Sequence, residues 1–585
     1  MSIMRHLRYI IALIVILALP YVAPNDFFIH LSTDIAIIAI AAIGLNILLG
    51  LSGQLSLGQA GFFALSAYGS GVLATKHGWP LWASLPVGLM LAGLAGVLLG
   101  LVALRARTHY LAMVTLAFGY IVEILAQRWV DLTGGSMGLI GVPQLNFGDF
   151  RNGATYFLWA VGITLLLVQM VNDYIMQSRI GRNLHAIKES ESFALTVGIN
   201  AALWRAGIFV FAALLAGLAG FFFVHQSGYI SSDAFGLDRS ISLLIAVVIG
   251  GLGHPYGGVV GALILVLLNQ LTAGLYEISY FIFGGILLGV MLFFPGGATG
   301  AFESLRKRLL PKRGAAPAQS GEAELPRIEA ANNAGPILEL RNVTKSYAGL
   351  VAVNDVSIQV MPGSVHALIG PNGAGKSTLI NVIAGLYAAN KGSILYRGTD
   401  VTSLPAHRRA AHGLTRTFQN LQLIGTLSVA ENVMLGLRRR QGMVTGWLRW
   451  LVSGEEARAE RAEALRLLAF FGIERFADSL PGDLAYGHRK LCELARALAQ
   501  QPTLLLLDEP IAGLNEGEMI EIMAVIRRLK SLGVTILLVE HNMTFVMGVS
   551  DRVSVLDYGR KIGEGTPAEV QRNEAVITAY LGQEA

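Results

Sequence analysis

Val365-His366-Ala367-Leu368-Ile369 runs directly into Gly370-Pro371-Asn372-Gly373-Ala374-Gly375-Lys376-Ser377-Thr378. An apolar, strand-like segment followed by G-x-x-x-x-G-K-S at the start of a helix is the arrangement that a phosphate-binding loop requires. Its glycines let successive backbone N–H groups turn toward phosphate oxygens, and the helix N-terminus adds a favourable dipole. In that reading residues 370–378 cradle a nucleotide, Lys376 reaches the β- and γ-phosphates, and the Ser377 hydroxyl ligates Mg²⁺.

Downstream, Leu504-Leu505-Leu506-Leu507 precedes Asp508-Glu509-Pro510. A buried strand that ends in two carboxylates places Asp508 at the Mg²⁺ and Glu509 beside the attacking water, where it serves as general base. Two strand-end acids mean little alone. After a phosphate loop they read as nucleoside triphosphate hydrolysis.

This chemistry occupies only the second half of the chain. Of 585 residues, 54% are hydrophobic and 14% charged, against about 25% charged in ordinary soluble domains. The mean hydropathy is +0.56. Disorder, a nucleic-acid-binding arm and a wholly soluble enzyme are excluded on these grounds. Residues 1–300 hold 23 of the 83 charged side chains, so the first half is membrane-like and the second soluble. The net charge of +5 suits basic loops beside anionic lipid, with no nucleic-acid partner. Cys492 is the sole cysteine, which rules out an internal disulfide and a cysteine-rich metal site.

Apolar runs near 9–24, 32–52, 57–75, 80–103, 109–127, 156–172 and 207–227 approach the ~20 residues that a membrane-crossing helix needs. The basic segments Arg5/Arg8, Arg105/Arg107 and 179–205 fall on one side, which the positive-inside rule makes cytoplasmic. The loop 128–154 then lies outside. The glycine- and proline-containing stretch Gly250-Gly251-Leu252-Gly253-His254-Pro255-Tyr256-Gly257-Gly258 predicts a break in the long run after 239. That break gives about ten passages and returns the basic cluster Arg306–Arg313 to the cytoplasm. Small residues, as in Gly96-x-x-x-Gly100 and Gly217-x-x-Gly220, suit close helix packing in lipid. Residues 311–335 hold only Leu325 and Ile328 as large apolar residues and read as a flexible tether with a reach of about 25–30 Å. The expected domains are 1–305 in the membrane, 306–336 as linker and 337–585 as the nucleotide-binding unit.

Residues 337–585 resemble the ATP-binding cassette (ABC) ATPases. Leu484-Ala485-Tyr486-Gly487-His488-Arg489-Lys490 stands at the place of that family's L-S-G-G-Q signature. Ala485 replaces its serine, Tyr486 a glycine and His488 the glutamine, while Gly487 is kept. The resemblance implies ATP and Mg²⁺ as cofactors and a dimer in which Ala485 and Gly487 face the nucleotide held by a second ATPase domain. It further implies that Gln419, in Arg416-Thr417-Phe418-Gln419, contacts Mg²⁺, that His541 is the switch histidine at the γ-phosphate, and that Tyr347 stacks on adenine. Asn515 falls where the D-loop aspartate is commoner.

The C-terminal segment from Gly565-Thr566-Pro567 to Ala579-Tyr580-Leu581-Gly582 resembles an ATPase subunit of bacterial branched-chain amino acid importers. The first half resembles a permease of the same system, through Gly44–Gly50, Gly53-Gln54-Leu55-Ser56-Leu57-Gly58, Tyr110–Gly119 and Leu132–Gly135. The fold expected is therefore a polytopic α-helical membrane domain followed by an α/β P-loop ABC ATPase domain, a natural fusion of permease and ATPase. The resemblance implies ATP-driven import across the bacterial inner membrane, with the ATPase domain cytoplasmic. The partners implied are a periplasmic substrate-binding protein, a second permease and a second ABC ATPase, with a homodimer as alternative. Residues 182–198 are expected to form the coupling helix. Urea, short amides or aromatic acids are alternative cargoes, and an exporter or a tethered non-transport ATPase is an alternative class. Nothing in residues 1–310 by itself fixes a side-chain pocket. Glu123, Asn46, Gln54 and Gln59 are the polar residues to follow inside the apolar half.

Overall fold

A computed structural model describes residues 2–104, 108–144, 150–273, 276–309, 335–437 and 455–581. It divides into two compact units, one formed by Met1–Leu184 and Ala202–Arg313, the other by His185–Ala201 and Gly314–Ala585.

The first unit is helical. Its main elements are α1 (Ser2–Val22), α2 (Asp26–Leu45), α3 (Gln59–Lys76), α4 (Leu81–Ala103), α5 (Thr108–Arg128) and α6 (Phe150–Gln177). A short α7 (Arg179–Glu189), whose second half belongs to the other unit, and α8 (Glu191–Thr196), which lies wholly in it, precede α9 (Ala201–Ser227), α10 (Leu237–Gly250), α11 (Gly257–Thr272), α12 (Tyr276–Phe293) and α13 (Gly297–Leu309) of the first unit. A π-helical turn, Asn46–Leu51, prolongs α2. Among the described residues six helices are long and apolar enough to cross a membrane, while Leu7–Val22 and Gly257–Thr272 are apolar but shorter. The expected count of about ten passages is not confirmed by these six.

The expected break falls where the sequence puts it, between Gly250 and Gly257, and the freed backbone is satisfied inside the protein. Asn46 Nδ2 donates to the His254 carbonyl (2.9 Å), and Gly253 N–H donates to Asn46 Oδ1 (2.8 Å). Gln169 and Asn172 both donate to the Pro255 carbonyl. Buried backbone groups outside helices and strands have to be paired in this way. Asn46 therefore bonds across helices, and so does Gln54, whose amide donates to the Arg205 carbonyl (3.2 Å). The small residues act as spacers. A Cβ on Gly96 would stand 2.8 Å from that of Ala213, and one on Gly217 would stand 2.7 Å from that of Ala92. Both distances are shorter than real Cβ atoms allow, so α4 and α9 touch there because no side chain intervenes. Strands β1 (Leu139–Ile140) and β2 (Tyr229–Ile230) pair antiparallel.

The second unit carries two sheets. One is antiparallel, ordered β4 (Leu350–Val360), β3 (Leu338–Tyr347), β6 (Lys391–Tyr396) and β7 (Thr399–Asp400). The other holds β12 (Arg560–Gly565), β11 (Arg552–Asp557), β5 (Val365–Ile369), β10 (Thr535–Val539), β9 (Leu504–Asp508) and β8 (Leu414–Arg416), in that order. Every pair from β11 to β8 is parallel. Strands β5, β9 and β10 are buried along their whole length, as the continuous apolar runs of the sequence require of a sheet covered on both faces. Helix α14 (Lys376–Ile383) follows β5. Helices α15 (Glu455–Phe470), α16 (Tyr486–Leu498) and α17 (Glu516–Ser531) complete the unit with shorter turns. The linker expected over 306–336 lies mostly outside the described residues.

Candidate functional site

The carboxyl ends of adjacent parallel strands bring the sequence-predicted residues together. The phosphate loop leaves β5, His541 follows β10, Asp508 and Glu509 end β9, and Gln419 follows β8. Ligands of open α/β sheets bind at this edge.

Gly375, at φ 95°, caps α14 in a left-handed conformation that a side chain would strain. Residues 371–375 form the turn, with Asn372, Gly373 and Ser377 exposed and Lys376 buried. Lys376 Nζ donates to the carbonyls of Gly370 (2.7 Å) and Pro371 (2.9 Å). Burial pushes its pKa down, while Glu509, Asp508 and Glu540 pull it back up. At the far end of α14 the Arg409 guanidinium donates to the Val382 and Ile383 carbonyls, both at 2.7 Å, and to those of Leu404 and Thr402. It thereby ties the carbonyls of the last helical turn to the segment 402–409. That anchor had no signal in the sequence.

Glu509 is held at φ 45°, a left-handed conformation that costs a non-glycine residue about 1–3 kcal/mol. Its N–H donates to the Val539 carbonyl (2.9 Å), which fixes the turn. Its carboxylate accepts from Gln419 Nε2 (2.8 Å) and lies 4.0 Å from His541 Nδ1. Gln419 and His541, 122 positions apart in sequence, thus meet at the Glu509 carboxylate. Glu540, fully buried, accepts from the N–H groups of Ile511 and His541 and lies 3.7 Å from His541 Nδ1, so it orients that histidine. Burial raises the Glu540 pKa, and the backbone donors oppose the rise.

Asp508 Oδ2 forms a buried ion pair with Arg416 Nη2 at 2.8 Å, and Arg416 Nη1 also bonds Asn381 of α14. Burial raises the Asp508 pKa, and Arg416 pulls it down. The sequence quotes Arg416 only as the neighbour of Gln419, because its partner lies on another strand. Asp508 Oδ1 is buried with no hydrogen-bond partner among the described residues. An unpaired carboxylate oxygen with an exposed Ser377 hydroxyl at the head of α14 is a hard, oxygen-only donor set, and it fits Mg²⁺.

Tyr347, half exposed on β3, meets Tyr387 edge to face at 5.9 Å. Ala485 caps α16 without a side-chain hydrogen bond, and Gly487 lies in its first turn against Glu518. No hydrogen bond among the described residues joins either to the phosphate loop. Asn515 caps α17, its side chain accepting from Glu518 N–H.

The segment His185–Ala201 belongs to this same unit. Glu189 accepts from Gly425 N–H and the Thr426 hydroxyl, both at 2.8 Å. Ser190 caps α8 through Phe193 N–H. The Phe193 ring lies 3.8 Å from the Arg496 guanidinium carbon of α16. Burial pushes the Arg496 pKa down to about 10, and its Nη1 donates to the Gln422 carbonyl, three residues after Gln419. Gly198 approaches His407 and Ala410.

Three family models match the chain. Residues 27–293 match the branched-chain amino acid transport system / permease component, 353–512 match the ABC transporter family, and 560–585 match the branched-chain amino acid ATP-binding cassette transporter. The high-affinity branched-chain amino acid transport ATP-binding protein BraF of Pseudomonas aeruginosa is 38% identical over 253 residues, covering 42% of this chain and 98% of BraF. LivG of Escherichia coli K12, of the same description, gives the same identity and coverage. The lipopolysaccharide export system ATP-binding protein LptB of E. coli K12 is 35% identical over 247 residues, 42% of this chain and 98% of LptB.

Proposed function

Because the chain belongs to the branched-chain amino acid ABC transporter family and joins its permease and ATPase in one polypeptide, we propose that it drives amino acid import with ATP, as one half of a four-domain assembly. The observation that carries this reading is the permease match over 27–293 in the same chain as the ATPase. ATPase similarity alone extends to relatives of branched-chain amino acid transport and of lipopolysaccharide export alike. The cargo is a branched-chain amino acid, delivered by a periplasmic binding protein.

Residues 1–305 form the permease, 306–336 the tether and 337–585 the ATPase, which the basic loops put on the cytoplasmic side of a bacterial inner membrane. The chain pairs with a second permease and a second ATPase. Ala485 and Gly487 face the nucleotide of the partner cassette.

Within the cassette each residue has a separate task. The loop 370–378 binds the ATP phosphates through its N–H groups and Lys376, and Tyr347 stacks on adenine. Ser377, Gln419 and Asp508 hold Mg²⁺, which when bound neutralises phosphate charge. Glu509 accepts the proton of the attacking water, and Gln419 holds that carboxylate in place. His541, oriented by Glu540, hydrogen-bonds the γ-phosphate. Residues 185–198 form the coupling segment, with Glu189 and Phe193 as its contacts.

The reading is tested by the ATPase rate of the assembled transporter in proteoliposomes. Leucine-loaded binding protein should raise the rate severalfold over leucine alone. A rate indifferent to the loaded binding protein would count against import.

A further inference from the structure

The permease unit contains a cavity of about 390 Å³ lined by α2, α9, the turn before α10, α10 and α11. That volume lies in the range of small-molecule sites, about 300–1,000 Å³. Asp34, Asp233, Asp238 and Arg239 face it, and Ile37, Leu243, Leu265 and Val266 contribute an apolar wall. Asp34 and Ile38 lie about 12 and 18 Å along the 26-residue helix Asp26–Leu51, at 1.5 Å per residue, which is near the middle of a ~30 Å hydrocarbon layer. Ionisable groups at that depth mark a substrate path by default.

The charges are arranged in an unusual way. Arg239 has its guanidinium carbon 4.7 Å from the Phe223 ring and 5.2 Å from the Phe63 ring, and its Nε donates to the Ala234 carbonyl (3.2 Å). Its two terminal nitrogens have no hydrogen-bond acceptor among the described residues, and no salt bridge joins it to any of the three carboxylates. Among the described residues, Asp34 Oδ1 accepts only from Gln226 Nε2 (3.0 Å). Opposite charges that serve packing alone would close on one another, because separation in a low-dielectric site is costly. Here they stand apart across a space.

We propose that this cavity binds the cargo during passage. The α-carboxylate lies against Arg239, the α-ammonium against Asp34 and Asp233, and an aliphatic side chain on the wall of Ile37, Leu243, Leu265 and Val266. The site thus selects a zwitterion with a branched apolar side chain over a neutral amide or urea, so the permease adds its own selectivity to that of the binding protein. This rests on the import reading above.

The probe is radiolabelled leucine, bound at equilibrium to the purified full chain in lipid nanodiscs. Competitors are 4-methylpentanoate, which lacks the ammonium, 3-methylbutylamine, which lacks the carboxylate, and urea. Leucine should bind at millimolar concentration or below, each half-molecule should compete at least about tenfold more weakly, and urea should not compete. Arg239→Gln and Asp34→Asn should each weaken leucine binding at least about tenfold. Val266→Trp, which fills the cavity, should abolish it. No leucine binding by wild type, equal competition by a half-molecule or urea, or wild-type binding in both charge variants would overturn the proposal. ATP-dependent leucine uptake by the wild-type assembly, measured in parallel, separates the two failures. If uptake occurs without charge-dependent binding, the cavity fails alone; if uptake is absent, the import reading fails.

Discussion

Phe193 and Arg496 are 303 positions apart, yet the phenyl ring sits 3.8 Å from the guanidinium carbon. Arg496 belongs to the helix whose first turn carries the signature residues Tyr486 and Gly487. Its Nη1 is bonded to the Gln422 carbonyl, just beyond Gln419. One side chain from the span matched by the permease model thus touches an arginine that ties the helix beginning at Tyr486 to the segment after Gln419.

Phe193→Ala removes a stacked pair worth about 2 kcal/mol when desolvated. ATP-driven uptake should fall by tenfold or more, while uncoupled ATP hydrolysis by the same protein stays within about twofold of wild type. Phe193→Tyr keeps the ring and should restore uptake. Equal loss of uptake and hydrolysis would show that Phe193 supports only the fold.

Glu509→Gln keeps the shape and the contact with Gln419 but removes the base. Hydrolysis should drop by about 10²–10⁴-fold, with ATP binding retained. Hydrolysis within twofold of wild type would exclude Glu509 as the proton acceptor.

Arg416→Met leaves Asp508 buried without its cation, at a cost of about 3–5 kcal/mol. The unfolding midpoint of the nucleotide-free cassette should fall, and the double variant Arg416→Met/Asp508→Asn should recover part of the loss, because neither charge is then left alone. A double variant no more stable than Arg416→Met would contradict this pairing.

His366 lies buried in β5 with Nε2 bonded to the Ser554 hydroxyl, and burial pushes its pKa from 6.5 down to about 4. The unfolded chain therefore binds a proton between pH 6.5 and 4 that the folded chain refuses. Stability is full above pH 6.5 and is lost as the pH falls toward 4. Thermal melts of the full chain at pH 7.5, 6 and 5 should show this slope. His366→Gln, which keeps a hydrogen-bonding group and does not titrate, should flatten it. An unchanged slope would place the acid sensitivity elsewhere.

The ATP site was legible because its parts are local. A strand, a glycine turn and a helix start are contiguous from Val365 to Ile383, and Asp508 and Glu509 directly follow four leucines. The break at Gly250–Gly257 was legible for the same reason. Arg416 was not, since only the parallel pairing of β8 with β9 brings it to Asp508. The permease cavity is the extreme case. Asp34, Phe223, Arg239 and Leu265 come from four helices, and each reads singly as an ordinary helix residue. The number of passages was not legible, because apolar runs near spanning length fold here into helices of 14 and 16 residues as well as full-length ones.

The most direct measurement is radiolabelled leucine uptake into proteoliposomes that hold the full chain, ATP inside and a branched-chain amino acid binding protein outside, with and without separately made partner subunits. The account predicts leucine accumulation that requires ATP, the binding protein and a partner permease and ATPase, and that disappears with Glu509→Gln. Accumulation of urea but not leucine, or leucine uptake that persists without ATP, would contradict it.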